Sequence, residues 1–95
     1  MMRPVHPGEI LKDELSELGL SANAFAKALG VPANRIVNIL LGKRAITADT
    51  ALRLSLYFGS GPEIWMNLQT NYDLAVTIRD RGKTLKKTVR PRAAA

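Results

Sequence analysis

The sequence of 95 residues contains no cysteine, one histidine at position 6 and only five aromatic residues. The absence of cysteine excludes disulfides, thiolate zinc sites and a cysteine nucleophile, and a lone histidine does not make a metal site. No apolar run approaches the roughly 18 residues of a membrane span, and the N-terminus lacks the apolar core of a signal peptide. We therefore expect a cytoplasmic protein that does not contact a membrane and has no metal or cofactor.

Catalytic chemistry also has little support in the sequence. His6 has no evident partner, and the acids Glu9, Asp13, Glu14 and Glu17 fall where an amphipathic helix faces water. We expect that the protein is not an enzyme.

Helical periodicity is present along most of the chain, and strand alternation is absent. The chain length allows one small domain, so the sequence predicts an all-α fold of five helices over residues 1–81. Pro32 occupies the N-cap of the third helix without a capping oxygen, and Ser60 with Glu63 forms a capping-box pattern before the fifth. We expect residues 82–95 to form a basic, disordered tail. The predicted helices cover approximately residues 8–18, 21–29, 33–41, 47–58 and 63–81.

Charge is distributed unevenly along the chain. The formal net charge is +6, and the bases from Arg79 to Arg92, opposed only by Asp80, account for all of it. Within the neutral remainder, residues 21–44 contain bases and no acid. This basic stretch coincides with two short predicted helices joined at Gly30, which is typical of a helix-turn-helix that binds DNA.

The third helix has one apolar face and one polar face. At 100° per residue, Ile36, Ile39 and Leu40 share the apolar side, so the opposite side is free to meet a ligand. Asparagine amides pair with adenine in the major groove, arginine pairs with guanine or a phosphate, and small apolar side chains contact a thymine methyl. The predicted base-reading residues are Ala33, Asn34, Arg35, Val37 and Asn38.

Phosphate contacts are predicted at the rims of this helix pair. The N-terminus of the second helix favours an anion, and lysine or arginine near the glycine turn after the third helix supplies positive charge. For Lys27, a solvated surface position is an equally good interpretation. The predicted phosphate-contacting residues are Ser21, Asn23, Lys27, Lys43, Arg44 and Thr47.

The fifth helix has more apolar surface than a small domain needs. We assign its main stripe, with Trp65, Leu68 and Tyr72, to the core. Leu74 and Ile78 extend the apolar arc sideways, and we predict that they form a homodimer interface.

Four motifs make the chain resemble the XRE type of helix-turn-helix proteins with the lambda-repressor-like fold, and within them the HigA group of antitoxins. The resemblance implies a five-helix domain, a homodimer on a palindromic operator, autorepression of its operon, and neutralisation of a HigB-type toxin that cleaves mRNA. The motifs are HPGEIL at 6–11, FAKALGVPANRIVNILLGKRAIT at 25–47, ALRLSLYFG at 51–59 and PEIWMNLQTNYDL at 62–74.

Two features depart from the pattern that carries the resemblance. Relatives often have serine where this chain has Pro32, so the operator sequence does not transfer from them. The tail after Arg81 is outside the shared pattern; added nonspecific DNA affinity, contact with toxin or RNA, and no role are the alternatives, and we favour the first.

Two other functions are compatible with the same residues. A stand-alone regulator explains the DNA chemistry without a toxin, and a toxin-like reading frame beside this one would distinguish the two cases. A protein-binding module that uses Val37 and Leu41 as apolar contacts is the other alternative, which weak DNA binding insensitive to Asn38 would favour.

Overall fold

The computed structural model describes residues 3–93, and these form five α-helices without a β-strand in the described range. The helices are α1 (Pro7–Leu18), α2 (Ala22–Leu29), α3 (Ala33–Leu40), α4 (Ala48–Phe58) and α5 (Glu63–Thr88). The all-α prediction and the number of helices are confirmed. None of the helices in this range is both long enough and apolar enough to cross a membrane.

The core is built from one face of each helix. Helix α3 lies between α1 and α2, α4 packs on α2, and α5 closes the domain against α1 and α4. The predicted inner residues Ile36 and Ile39 of α3 are fully buried, and Leu40 packs against the core from its edge. The buried apolar side chains are Leu11, Leu15, Phe25, Ala26, Leu29, Ile36, Ile39, Ile46, Ala51, Leu54 and Trp65.

Helix α1 meets α3 through a glycine contact. A Cβ atom added at Gly8 would lie 1.9 Å from the carbonyl oxygen of Ile39 and 2.8 Å from its carbonyl carbon. Only glycine permits this approach, because the backbone of α3 cannot move away as a flexible side chain would. The N-terminus of α1 is thereby seated directly on the helix predicted to bind DNA.

The predicted starts of the helices are partly correct. Ser21 and Thr47 cap α2 and α4, and Pro32 is the N-cap of α3 without a side-chain hydrogen bond. The predicted capping box of Ser60 and Glu63 is wrong, because α5 has Pro62 as its N-cap and no side-chain capping bond. The capping box lies instead on α1, where His6 and Glu9 form it.

The predicted end of α5 is also wrong. The helix does not stop near Arg81 but continues through Gly82 to Thr88, so residues 82–88 are helical rather than disordered. A single glycine costs about 1 kcal/mol in a helix and does not end it. Lys86 and Lys87 in the last turn stabilise the helix, because their positive charges lie at the negative end of the helix dipole. Residues 89–93 have no regular secondary structure, and the remaining tail residues Ala94 and Ala95 lie outside the described residues, as do Met1 and Met2 of the predicted domain.

Candidate nucleic-acid interface

Helices α2 and α3 are joined by a tight turn at Gly30. Gly30 has φ of 72°, a left-handed conformation that favours glycine, and its N–H donates to the carbonyls of Ala26 and Lys27. The N–H of Val31 donates to Ala26 O at 3.0 Å, and its side chain packs against the core. The sequence therefore places the two helices in the helix-turn-helix arrangement through a C-cap and an apolar plug.

The outer face of α3 is polar and open. Asn34 and Val37 are exposed, Asn38 is half-buried, and neither asparagine amide forms a hydrogen bond with another residue in the range 3–93. Leu41 follows on the same side with 61% of its surface exposed. A helix face with two amides free to pair and small apolar neighbours matches the chemistry of a major-groove base edge.

Two of the predicted base-reading residues are in a different situation. Ala33 is half-buried and packs against the core, which leaves it little surface for a base contact. The guanidinium of Arg35 donates to Asp49 Oδ2 at 2.6 Å, and 27% of the Arg35 side chain is exposed. Arg35 is therefore held at the junction of α3 and α4, and a role for it in base pairing stays a prediction.

The predicted phosphate contacts surround the α2–α3 pair. Ser21, Asn23 and Lys27 are exposed on α2, and the Ser21 hydroxyl accepts from Ala24 N at 3.1 Å as the N-cap. Thr47 is exposed as the N-cap of α4, where its hydroxyl oxygen accepts from Thr50 N at 3.4 Å. The Ser21 hydroxyl has no acceptor for its own proton among the described residues, whereas the Thr47 hydroxyl also donates to Thr50 Oγ1 at 3.3 Å.

The loop that carries Lys43 and Arg44 is fixed by buried contacts although both side chains are exposed. The N–H of Lys43 donates to Asn38 O at 2.8 Å, and Gly42 turns the chain with φ of 74°. At the end of the loop, the N–H of the buried Ile46 donates to Oε1 of the buried Gln69 on α5 at 2.8 Å. The two positive charges are thus carried by a loop whose backbone is hydrogen-bonded to α3 and to α5.

His6 joins this loop to two helices. Its Nδ1 accepts from Gly8 N at 2.9 Å, which requires the neutral imidazole, and its ring packs edge-on against Tyr72 of α5 with centroids 4.9 Å apart. A Cβ atom on Gly42 would lie 3.8 Å from the His6 ring. Burial lowers the pKa of His6, although the charges of Asp73 and Glu9 and a hydrogen bond with the Arg44 backbone oppose this shift.

Sequence reasoning did not identify His6, Asp49, Arg53 and Gln69 as parts of the interface. The i,i+4 spacing of Asp49 and Arg53 is a signal for an ion pair on one helix face, which the structure contains at 2.9 Å. The contacts of Arg35 with Asp49, and of Gln69 with Ile46, join residues far apart in sequence, and no local pattern indicates them.

The predicted dimer residues Leu74 and Ile78 are 56% and 65% exposed on α5. Trp65 and Gln69 are the buried residues of this helix, so its second half extends away from the core. The longest dimension of the molecule, 53 Å, reflects this extension. Leu74 and Ile78 accordingly remain available for a contact outside the described chain.

Comparison with known proteins identifies the family. Residues 11–65 match the helix-turn-helix family. The chain is 53% identical over 81 residues to virulence-associated protein I of Dichelobacter nodosus, an alignment that covers 84% of this chain and 75% of the relative.

Two solved structures share the complete fold. An addiction module antidote protein of the HigA family from Coxiella burnetii has a TM-score of 0.92 and 53% identity, with 96% of this chain and 100% of that chain covered. Antitoxin HigA of Pseudomonas aeruginosa, solved with higBA promoter, has a TM-score of 0.91 and 43% identity, with 96% and 100% covered. These proteins are regulators and antitoxins rather than enzymes, in agreement with the sequence-based expectation. The chain belongs to the HigA family of helix-turn-helix antitoxins.

Proposed function

We propose that this protein is the antitoxin of a type II toxin–antitoxin module, and that it represses its own operon by binding operator DNA in the cytoplasm. The observation that carries this proposal is the outer face of α3, where the amides of Asn34 and Asn38 have no hydrogen-bond partner among the described residues. The positively charged side chains of Lys43 and Arg44 are exposed next to this face. The Pseudomonas relative, solved with promoter DNA, supports the same function for this chain.

We assign base recognition to the outer face of α3 and phosphate binding to its surroundings. Asn34 and Asn38 pair with base edges, and Val37 contacts a thymine methyl, while the rims position the helix without reading sequence. The structure supports this division because neither amide is hydrogen-bonded within the described residues, and Lys43 and Arg44 lie on a loop held by hydrogen bonds to Asn38 and Gln69. The proposed phosphate contacts are Ser21, Asn23, Lys27, Lys43, Arg44 and Thr47.

We further propose a homodimer on a palindromic operator and a HigB-type toxin as the protein partner. Two half-sites on one face of DNA are roughly 34–36 Å apart, which a twofold dimer matches. The exposure of Leu74 and Ile78 supports an interface on α5. In sedimentation, the Leu74→Glu, Ile78→Glu variant is expected to be monomeric, and an unchanged dimer would place the interface elsewhere.

The test of DNA recognition is a titration of the purified protein with its own upstream promoter fragment and a scrambled control at two salt concentrations. Asn38→Ala is expected to lose about 1–3 kcal/mol on the promoter and to relax preference at one base pair. Lys43→Ala is expected to weaken binding to both fragments and to reduce the salt slope by about one.

Three outcomes would count against the proposal. Equal, salt-sensitive binding of the wild-type protein to both fragments would mean that the protein binds DNA through its positive charge alone, without recognition of sequence. Identical behaviour of Asn38→Ala and Lys43→Ala would contradict the division between base and phosphate contacts. If an adjacent reading frame encodes a toxin-like protein and that protein does not bind this chain, a stand-alone regulator would be favoured.

A further inference from the structure

An ion cluster links the N-terminus of α3 to α4 and to the end of α2. Asp49, in the first turn of α4, accepts from Arg35 Nη1 at 2.6 Å and from Arg53 Nε at 2.9 Å through the same oxygen, Oδ2. Arg53 Nη1 also donates to the carbonyl oxygen of Leu29 at 2.8 Å, at the C-terminus of α2. The carboxylate therefore lies between two guanidinium groups at the helix-turn-helix.

The two arginines do not depend on Asp49 to the same extent. Arg53 retains its bond to the Leu29 carbonyl if Asp49 is neutralised, whereas Asp49 is the hydrogen-bond partner of the Arg35 side chain among residues 3–93. The side chains of Arg35 and Asp49 are 27% and 56% exposed, so solvent and a DNA phosphate have access to the pair. Removal of the Asp49 charge would release Arg35 in particular.

We propose that Asp49 is a specificity-determining residue of the DNA interface, because it holds the Arg35 guanidinium and keeps this charge from binding phosphates of any DNA sequence. The inference rests on the proposed function, since it requires α3 to bind DNA. In a sequence-specific complex the base contacts of Asn34 and Asn38 fix the position of α3. In a nonspecific complex the protein adjusts to any phosphate within reach, so a released arginine adds more affinity there.

This arrangement explains an otherwise costly placement. An acid beside the recognition helix repels the DNA backbone and lowers general affinity. The same acid also weakens binding to the many competing nonspecific sites. Selectivity in a genome depends on the ratio of specific to nonspecific affinity, so weaker nonspecific binding raises it. Asp49 thus reduces affinity in order to raise the ratio of specific to nonspecific binding.

The experiment compares four variants on the promoter fragment and the scrambled fragment at 50 and 200 mM salt. Asp49→Asn removes the negative charge that holds Arg35 and leaves the size of the side chain almost unchanged. Asp13→Asn on α1 makes the same charge change at an exposed carboxylate that has no ion pair within the described residues, and it controls for net charge. Arg35→Ala and the Arg35→Ala, Asp49→Asn double variant test whether the effect requires Arg35.

Asp49→Asn is expected to bind scrambled DNA more tightly than Asp13→Asn and to have a salt slope steeper by about 0.9, as expected for one added phosphate contact. The ratio of the Asp49→Asn affinity to the Asp13→Asn affinity for scrambled DNA should be roughly three- to fourfold larger at 50 mM than at 200 mM salt. The ratio of promoter to scrambled affinity should fall, and the double variant should lose the gain. Circular dichroism of each variant confirms that the fold is intact.

Two results would overturn the inference: Asp49→Asn behaving as Asp13→Asn does, or the double variant retaining the full gain. Either result leaves the proposed function intact if the wild-type protein still prefers its promoter. If the wild-type protein has no preference for its promoter, the proposed function itself is rejected, so the two failures are distinguishable.

Discussion

Helices α1 and α3 touch each other, yet they are stabilised in different ways. The start of α1 is closed by its own side chains: His6 Nδ1 accepts from Gly8 N, and the Glu9 carboxylate accepts from His6 N at 3.3 Å and from Arg3 at 2.8 Å. The start of α3 has Pro32 and no side-chain cap. Helix α3 therefore depends on burial of Ile36 and Ile39 for its position.

This difference follows the separate tasks of the two helices. Helix α1 has a capping box that satisfies donors at its N-terminus, so it serves as a support for α3. The amides of Asn34 and Asn38 on the outer face of α3 have no partners in the described chain. Such groups do not stabilise a helix, but they are what a binding surface needs. Stability is supplied to α3 by its neighbours, and its exposed side is left for recognition.

The largest expected effect comes from breaking the contact between the two helices. Gly8→Ala places a Cβ atom against the Ile39 carbonyl, and we expect a loss of about 3 kcal/mol in the free energy of unfolding. Urea denaturation measures this loss. Gly82→Ala is the control, because its Cβ meets Ile78 Cγ2 at 3.6 Å in ordinary contact, and this change should stabilise α5 by up to about 1 kcal/mol. Equal effects of the two substitutions would contradict a special role for the Gly8 contact.

A smaller effect is expected on the outer face of α3. Asparagine is a poor helix former, so Asn38→Ala should raise the free energy of unfolding by about 0.5 kcal/mol while it lowers operator affinity. Thermal unfolding of the same preparation used for the DNA titration tests both halves of the prediction. A loss of stability would mean that Asn38 supports the fold rather than recognition.

The smallest expected effect concerns the pH dependence of the α1 cap. Burial lowers the pKa of His6 in the folded state below its unfolded value of about 6.5, so the unfolded chain takes up the proton first as the pH falls. Stability contributed by neutral His6 is complete above pH 6.5 and declines below it. Urea denaturation at pH 7.5 and pH 5.5 measures the decline.

His6→Asn provides the control for this pH effect. Asparagine is a good N-cap that does not titrate, so the variant should keep the cap and lose the pH dependence in this interval. The chain has no other histidine, which makes the comparison direct. An unchanged pH dependence in the variant would assign the effect to another group.

Much of the fold was predictable because its signals are local. Helical periodicity, the glycine at position 30 and the caps at Ser21 and Thr47 involve residues within one or two turns of each other. The two errors, the N-terminal cap and the C-terminal end of α5, also have local causes. Proline replaced serine as the N-cap, and a single glycine did not end a helix that has no proline until Pro91.

The candidate site was predictable only in part, because exposure of a side chain depends on distant partners. The exposure of Asn34 agrees with the helical-wheel prediction, whereas Asn38 on the same face is half-buried. The engagement of Arg35 by Asp49 does not follow from any pattern around Arg35, since fourteen positions separate the two residues. The same holds for the anchoring of the Lys43–Arg44 loop by Gln69.

By itself, the sequence determined the helices, the basic stretch beside the recognition helix and the family, because backbone periodicity, net charge and motif spacing are properties of neighbouring residues. The tertiary structure alone decided which polar side chains remain open and which are paired. It brought Asp49 to Arg35, Gln69 to the backbone of Ile46 and Gly8 to the backbone of Ile39. Hydrogen bonds and close backbone contacts act over about 3 Å, so only the packed fold brings residues distant in sequence within that range.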